Sequence, residues 1–217
     1  MAKKNLKKGI FITFEGPEGC GKSTQSKLLV DYLKDNSYEC VYTREPGGTP
    51  AGERIRGLLL HSKKIHITDL TEMLLFEASR SQIVAELIAP AIADKEIVVC
   101  DRFSDATLSY QGYGGGIPLK LIKAVDAIAT GGLKPDLTIL LDIDTMAGLR
   151  RAGKKGVDRM EEKALAYHMR VRAGYLKLAK AEPSRIKVIK VKDGIESTQG
   201  LVRAEVRRVI RRYKRTG

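Results

Sequence analysis

The segment Ile10–Ser23, IFITFEGPEGCGKS, constrains this chain more than any other. A β-branched and aromatic run, Ile10–Phe14, delivers the backbone into the pattern G-x-x-x-x-G-K-S, and a helical pattern, STQSKLLVDYLKD, begins at once. Glycines at 16, 19 and 21 let successive backbone N–H groups turn inward around an anion. The start of the helix adds its own partial positive charge. In that arrangement Gly16, Pro17, Glu18, Gly19, Cys20, Gly21, Lys22, Ser23 and Thr24 wrap the nucleotide phosphates. Lys22 reaches the β- and γ-phosphates, and the Ser23 hydroxyl ligates Mg²⁺. The motif establishes phosphate binding but leaves the acceptor open, because water would make a hydrolase and a small molecule a kinase.

Further apolar, β-branched runs follow at Cys40 (CVYTR), Glu96 (EIVVCD), Leu137 (LTILLD) and Ile186 (IKVIKV). Between them lie helical patterns such as TEMLLFEASRSQIVAELIAPAIA. This alternation predicts an α/β fold with a five-stranded parallel sheet and helices on both faces. No linker-like stretch or internal repeat interrupts it, so residues 1–217 are expected to form a single domain. Two glycine-rich segments read as loops after strand ends, REPGGTPAGE and RRAGKKGVDR. Strand C-termini are where open α/β sheets bind ligands.

Composition excludes several classes. The three cysteines are dispersed, which argues against a zinc site and for a reducing compartment. The basic stretch MAKKNLKKGIFITFEG has an apolar run broken by Thr13 and ended by Glu15, too short for a signal-peptide core or a membrane span. A cytoplasmic protein without membrane association is expected. The net charge of +13 gathers partly in LVRAEVRRVIRRYKR. There Val202, Val206, Val209 and Tyr213 form one apolar stripe, and the arginines fall mostly on the other faces. A solvated outer face is favoured over a nucleic-acid patch, since no aromatic residues interleave to stack bases.

The strand ends discriminate between reactions. Asp101 closes a buried strand and can hold Mg²⁺. Arg102 beside it and Arg44 at another strand end can grip a second phosphate bidentately. No NKxD-like guanine motif appears. A second, phosphate-bearing substrate becomes the leading reading.

The segments EGPEGCGKSTQ, TREPGGT, LLFEASRSQ and DRFSDATLSYQG are similar, in order and spacing, to the successive motifs of thymidylate kinases. The resemblance runs from about Ile10 to Arg159. It implies a P-loop nucleoside-monophosphate kinase fold, a homodimer, and conversion of dTMP and ATP to dTDP and ADP with Mg²⁺. By that resemblance Arg44 and Arg102 bind the dTMP phosphate, Phe76 stacks on thymine, and Arg80 hydrogen-bonds the base. Thr107 lies at the base edge, Tyr110 beside the deoxyribose 2′ carbon, and Glu18 near the sugar and acceptor end. Ala106 and Ser109 stand where the family usually has Ser and Ala.

Gly19 aligns with the branch of the family whose loop lacks an arginine and takes basic residues from a lid. The lid candidate, about 148–160, carries Arg150, Arg151, Lys154, Lys155 and Arg159, while Gly153 stands where that branch often has Arg. Arg151 and then Lys155 are the expected catalytic cations, with Lys22 and Arg102. The rival readings are a UMP or CMP kinase and a nucleic-acid-binding P-loop ATPase.

Overall fold

The computed structural model describes residues 6–61, 65–153, 163–191 and 194–214. Its five strands are β1 (Ile10–Glu15), β2 (Cys40–Arg44), β3 (Ile97–Asp101), β4 (Leu137–Asp142) and β5 (Ile186–Lys190). They form one parallel sheet, as the apolar runs predicted, with the strand order β2-β3-β1-β4-β5. Alternation along β1 explains why both faces must be covered. Ile10, Ile12 and Phe14 join a core with Leu29 and Leu33 of α1 (Lys22–Asp35) and Val202 and Val206 of α9 (Ile195–Tyr213). Phe11 points the other way, into a core with Ile83, Ile88 and Phe103.

Helix α9 buries Val202, Val206 and Val209 while Arg207, Arg208, Arg211 and Arg212 are exposed, the solvated-face arrangement that its stripe predicted. Among the described residues no helix is long and apolar enough to cross a membrane.

The opposite face carries α2 (Pro50–His61), α3 (Asp69–Ile83), α6 (Leu119–Thr130) and α8 (Leu165–Ala181). The long helical pattern read from Thr71 onward starts earlier, behind a Thr68 cap, and is interrupted. Helix α3 passes into a π-helical turn, Val84–Ile88, and then α4 (Ala89–Ala93). The wider turn lies just ahead of Pro90, whose ring would crowd the preceding turn of a regular helix and which has no N–H to bond it. A second π-helical turn, Leu108–Gly114, follows the short α5 (Ser104–Thr107).

Both predicted loops are shorter than expected. Helix α2 starts inside REPGGTPAGE because Pro50 presets a helical φ at the first position, and the Thr49 carbonyl accepts the Glu53 N–H. Arg150–Gly153 form the last turn of α7 (Thr145–Gly153), not a loop. Asp144 Oδ1 caps that helix by accepting the Ala147 N–H at 3.0 Å. Lys154, Lys155 and Arg159 lie outside the described residues.

The register brings the strand ends level. Asp101 pairs with Phe14 on one side and with Arg44 on the other, so the glycine-rich loop, Asp101–Arg102 and Arg44 all open at one edge of the sheet.

Candidate active site

The loop adopts a backbone that its glycines permit. Gly16, Gly19 and Gly21 have φ of 144°, 66° and 93°. Gly19 also meets a steric limit, since a Cβ there would lie 2.0 Å from the Gly148 carbonyl oxygen of α7. A Cβ on Gly148 would in turn lie 2.3 Å from the Glu18 carbonyl oxygen. The base of the predicted lid therefore rests directly on the phosphate loop, and no larger residue fits at 19 without moving it. Lys22, only 7% exposed, folds its ammonium into the loop and donates to the Gly16 and Pro17 carbonyls at 2.9 Å each. Ser23 Oγ donates to Asp101 Oδ2 at 2.5 Å, while Asp101 Oδ1 is buried without a partner. A hydroxyl beside a carboxylate with a free oxygen is a hard, oxygen-only donor set that fits Mg²⁺.

Next to the loop, a crevice of about 820 Å³ runs from Lys22 and Ser23 past Arg44, Asp101 and Arg102 to Phe76, Arg80, Thr107 and Tyr110. The structure thus brings together in one cavity the residues predicted from four separate segments. Arg102 has a left-handed backbone, φ 71°, that turns its side chain off the strand axis. Its Nη2 donates to Glu18 Oε1 at 2.8 Å, and its guanidinium lies 4.9 Å from the Tyr110 ring centre. Tyr110 Oη donates to the same Glu18 oxygen at 2.6 Å. Burial alone would raise the Glu18 pKa, but Arg102, Lys22 and the Tyr110 hydroxyl outweigh it and hold the carboxyl at about 2. Arg44 is exposed at the end of β2, with Nη2 3.3 Å from Glu53. Phe76 is half-buried and lines the crevice wall.

Arg80 is bound more tightly than its expected base-reading role required. It is 1% exposed, and every one of its N–H directions is engaged. Nε and Nη2 donate to Glu45 Oε2 at 2.9 and 2.7 Å, and Nη1 to Glu77 Oε1 at 2.5 Å and Asp126 Oδ1 at 3.2 Å. Nη2 also donates to Thr107 Oγ1 at 3.1 Å. Only the Thr107 link faces the crevice through a neutral, exchangeable partner. Burial, with Arg80 opposing it, raises Glu45 to about 7. The three carboxylates of this clamp had no place in the sequence reading. Only the Glu77–Arg80 pair, three residues apart on one helix, carried a local signal.

Arg151, exposed on α7, borders this crevice and also a smaller recess behind the loop formed with Cys20, Thr24, Gln25, Gly194 and Thr198. Of the described cations in the predicted lid segment, Arg151 and not Arg150 lines these two cavities.

Known proteins match most of this chain. A thymidylate kinase family model matches residues 14–202. A thymidylate kinase of Dehalococcoides mccartyi is 53% identical over 176 residues, covering 81% of this chain and 85% of that protein. One from Symbiobacterium thermophilum is 44% identical over 209 residues, covering 96% and 98%. The crystal structure of thymidylate kinase from Ehrlichia chaffeensis superposes with a TM-score of 0.75 at 37% identity, covering 93% of this chain and 98% of that one. With the loop, the paired strand-end arginines and the walled crevice in one frame, the chain belongs to the thymidylate kinase family.

Proposed function

We propose that this protein transfers the γ-phosphoryl group of ATP to a phosphate oxygen of dTMP, giving dTDP and ADP. The observation that carries this reading is the continuity of the crevice from the phosphate loop to the Arg44–Arg102 pair, which gives a second anion a seat beside the first. A hydrolase needs no such seat. The acceptor oxygen is already anionic, so a strong general base is unnecessary, and catalysis rests on positioning and charge stabilisation. As the P–O bond to the acceptor forms, the bond to the ADP oxygen breaks, and negative charge grows on the leaving group.

Lys22 leaves the Gly16 and Pro17 carbonyls for the β- and γ-phosphates. Ser23 and Asp101 would hold Mg²⁺, which would supply charge neutralisation on the nucleotide. Arg44 and Arg102 orient the acceptor phosphate. Phe76 stacks on the base, and Arg80 reads its edge by exchanging the Thr107 hydroxyl for a base carbonyl. The Tyr110 ring stands against a 2′-hydroxyl. Because Gly19 offers no side chain, Arg151, and Lys155 beyond it, meet the charge on the transferring group. Residues 1–217 act as one kinase domain, with about 148–160 as its lid.

A homodimer is supported by exposed Leu70 and Leu74 on α3 and Leu121 and Ile128 on α6, two helices that pack side by side. A cytoplasmic location agrees with three free cysteines.

A panel of nucleoside monophosphates with ATP and Mg²⁺ tests the reading. It expects kcat/KM for dTMP to exceed those for UMP and CMP by at least about tenfold, a modest recognition difference. ATP hydrolysis stimulated by DNA or RNA, without dTMP turnover, would overturn it.

A further inference from the structure

The crevice depends on a residue that does not line it. Glu15 is the last residue of β1, directly before the phosphate loop, and is 0% exposed. Its two oxygens have separate partners. Phe103 N–H donates to Oε1 at 2.7 Å, and Tyr175 Oη donates to Oε2 at 2.8 Å. Between these contacts lies Arg102, a non-glycine residue with φ 71°. That conformation costs roughly 1 kcal/mol and persists only where the surroundings enforce it. The Arg102 N–H donates to the Phe14 carbonyl at 2.9 Å, and the next N–H, that of Phe103, goes to Glu15. Both amides that flank the left-handed residue are therefore tied to the end of β1, one through backbone and one through the Glu15 side chain. Tyr175 extends the same support, since its hydroxyl also lies 3.5 Å from Arg102 Nη1.

We infer that Glu15 is a positioning residue for the acceptor phosphate, holding the Arg102 backbone in the turn that aims its guanidinium into the crevice. The inference rests on the reading of Arg102 as an acceptor-phosphate ligand. Glu15 touches neither the crevice nor the loop amides, and both of its side-chain partners, the Phe103 amide and the Tyr175 hydroxyl, lie against Arg102. Burial and nearby Asp105, opposed by Arg102, raise its carboxyl to about 8, so the site tolerates a neutral group of the same shape. Glutamine can still accept the Phe103 N–H and turn its amide toward the Tyr175 oxygen.

Steady-state kinetics of Glu15→Ala, Glu15→Gln, Arg102→Ala and the Glu15→Ala/Arg102→Ala double variant test this. Unfolding midpoints are measured alongside, to confirm that each variant is folded. Glu15→Ala is expected to raise the KM for dTMP by about tenfold or more and to leave the KM for ATP within about threefold, as for a lost charge-assisted contact. Glu15→Gln is expected to restore the dTMP KM to within about threefold of the parent. In the Arg102→Ala background the Glu15→Ala change adds little, because its route to the substrate is gone. If Glu15→Ala does not fold, Glu15→Asp, which keeps the carboxyl but shortens the reach by one methylene, replaces it with the same expectation.

Equal losses for ATP and dTMP would mark Glu15 as general support for the loop and overturn the inference. So would an undiminished Glu15→Ala effect without Arg102. An unchanged dTMP KM in Arg102→Ala would instead remove the Arg102 reading, and the inference with it.

Discussion

The two halves of the crevice are built from different materials. On the proposed donor side the phosphate seat is backbone: three positive-φ glycines, the first turn of α1, and one lysine that donates to two loop carbonyls. On the acceptor side the seat is a lattice of side-chain charges. Arg102 is paired with Glu18, and Arg80 is held by Glu45, Glu77 and Asp126. Backbone amides are fixed by chain geometry and tolerate any side chain that avoids a clash. A charge lattice is fixed only by its partners, so a single truncation leaves a buried ion unpaired. The donor half should therefore fail by losing chemistry, and the acceptor half by losing stability and selectivity together.

The largest effect belongs to the donor half. Lys22→Ala keeps the amide cradle and removes its cation, and turnover is expected to fall by about 10³ or more while the fold survives. Single-turnover kinetics on a variant with a parental unfolding midpoint reads this. Activity within tenfold of the parent would break the assignment of Lys22.

The acceptor half should behave in the opposite way. Arg80→Ala strands Glu45, Glu77 and Asp126 around an empty centre, and a stability loss of about 3–5 kcal/mol in urea denaturation is expected. Arg80→Lys should recover only part of it, because one ammonium cannot reproduce the fork. A loss below about 1 kcal/mol would show that the lattice is not what holds this wall.

This contrast explains what could be read from sequence. The donor half is contiguous, so strand, glycines, lysine and helix start lie within one short stretch. The five strands were legible for a related reason, since burial on both faces makes each a nearly unbroken apolar run. The clamp on Arg80 was not legible, because Glu45, Glu77 and Asp126 come from three segments that meet only after folding. Phe76, Thr107 and Tyr110 had meaning chiefly through the family resemblance, whereas Arg102 was legible from its place beside Asp101 at a strand end. The α7 turn at Arg150–Gly153 looked like a loop because its glycines and charges mask a helix fixed by the Asp144 cap and by contact with the loop. The π-helical turn at Val84–Ile88 had a readable sign in Pro90, but its geometry depends on packing against Phe11 and Val98.

Where the halves meet, Glu18 gives a smaller effect with a definite sign. Its carboxyl lies below the usual 4.5, so the stability it contributes is complete above pH 4.5 and is lost as pH falls through about 2. Glu18→Gln lacks that contribution at all pH values. The parent is expected to be more stable by about 3 kcal/mol near neutrality, and the gap should close as pH falls from 4.5 toward 2. Parallel stability curves for the two proteins would contradict this.

Gly19→Ala is the mildest test. A methyl group there meets the Gly148 carbonyl and an unfavourable φ of 66°, so a loss of about 2 kcal/mol is expected from crowding and strain. Gly148→Ala should do the same from the other side of the contact. Combining them should cost less than the sum, since one displacement of α7 relieves both clashes. Additive losses would show that the loop and α7 do not bear on each other.

The central claim is that donor and acceptor are seated by separate halves joined at Glu18 and Arg102. Isothermal titration of ATP–Mg²⁺ and dTMP, each into Lys22→Ala and Arg102→Ala, tests it most directly. A crossed pattern is expected: Lys22→Ala weakens ATP by about tenfold or more and leaves dTMP within about threefold, and Arg102→Ala does the reverse. If either variant weakens both ligands equally, the two halves are one site and the account is wrong.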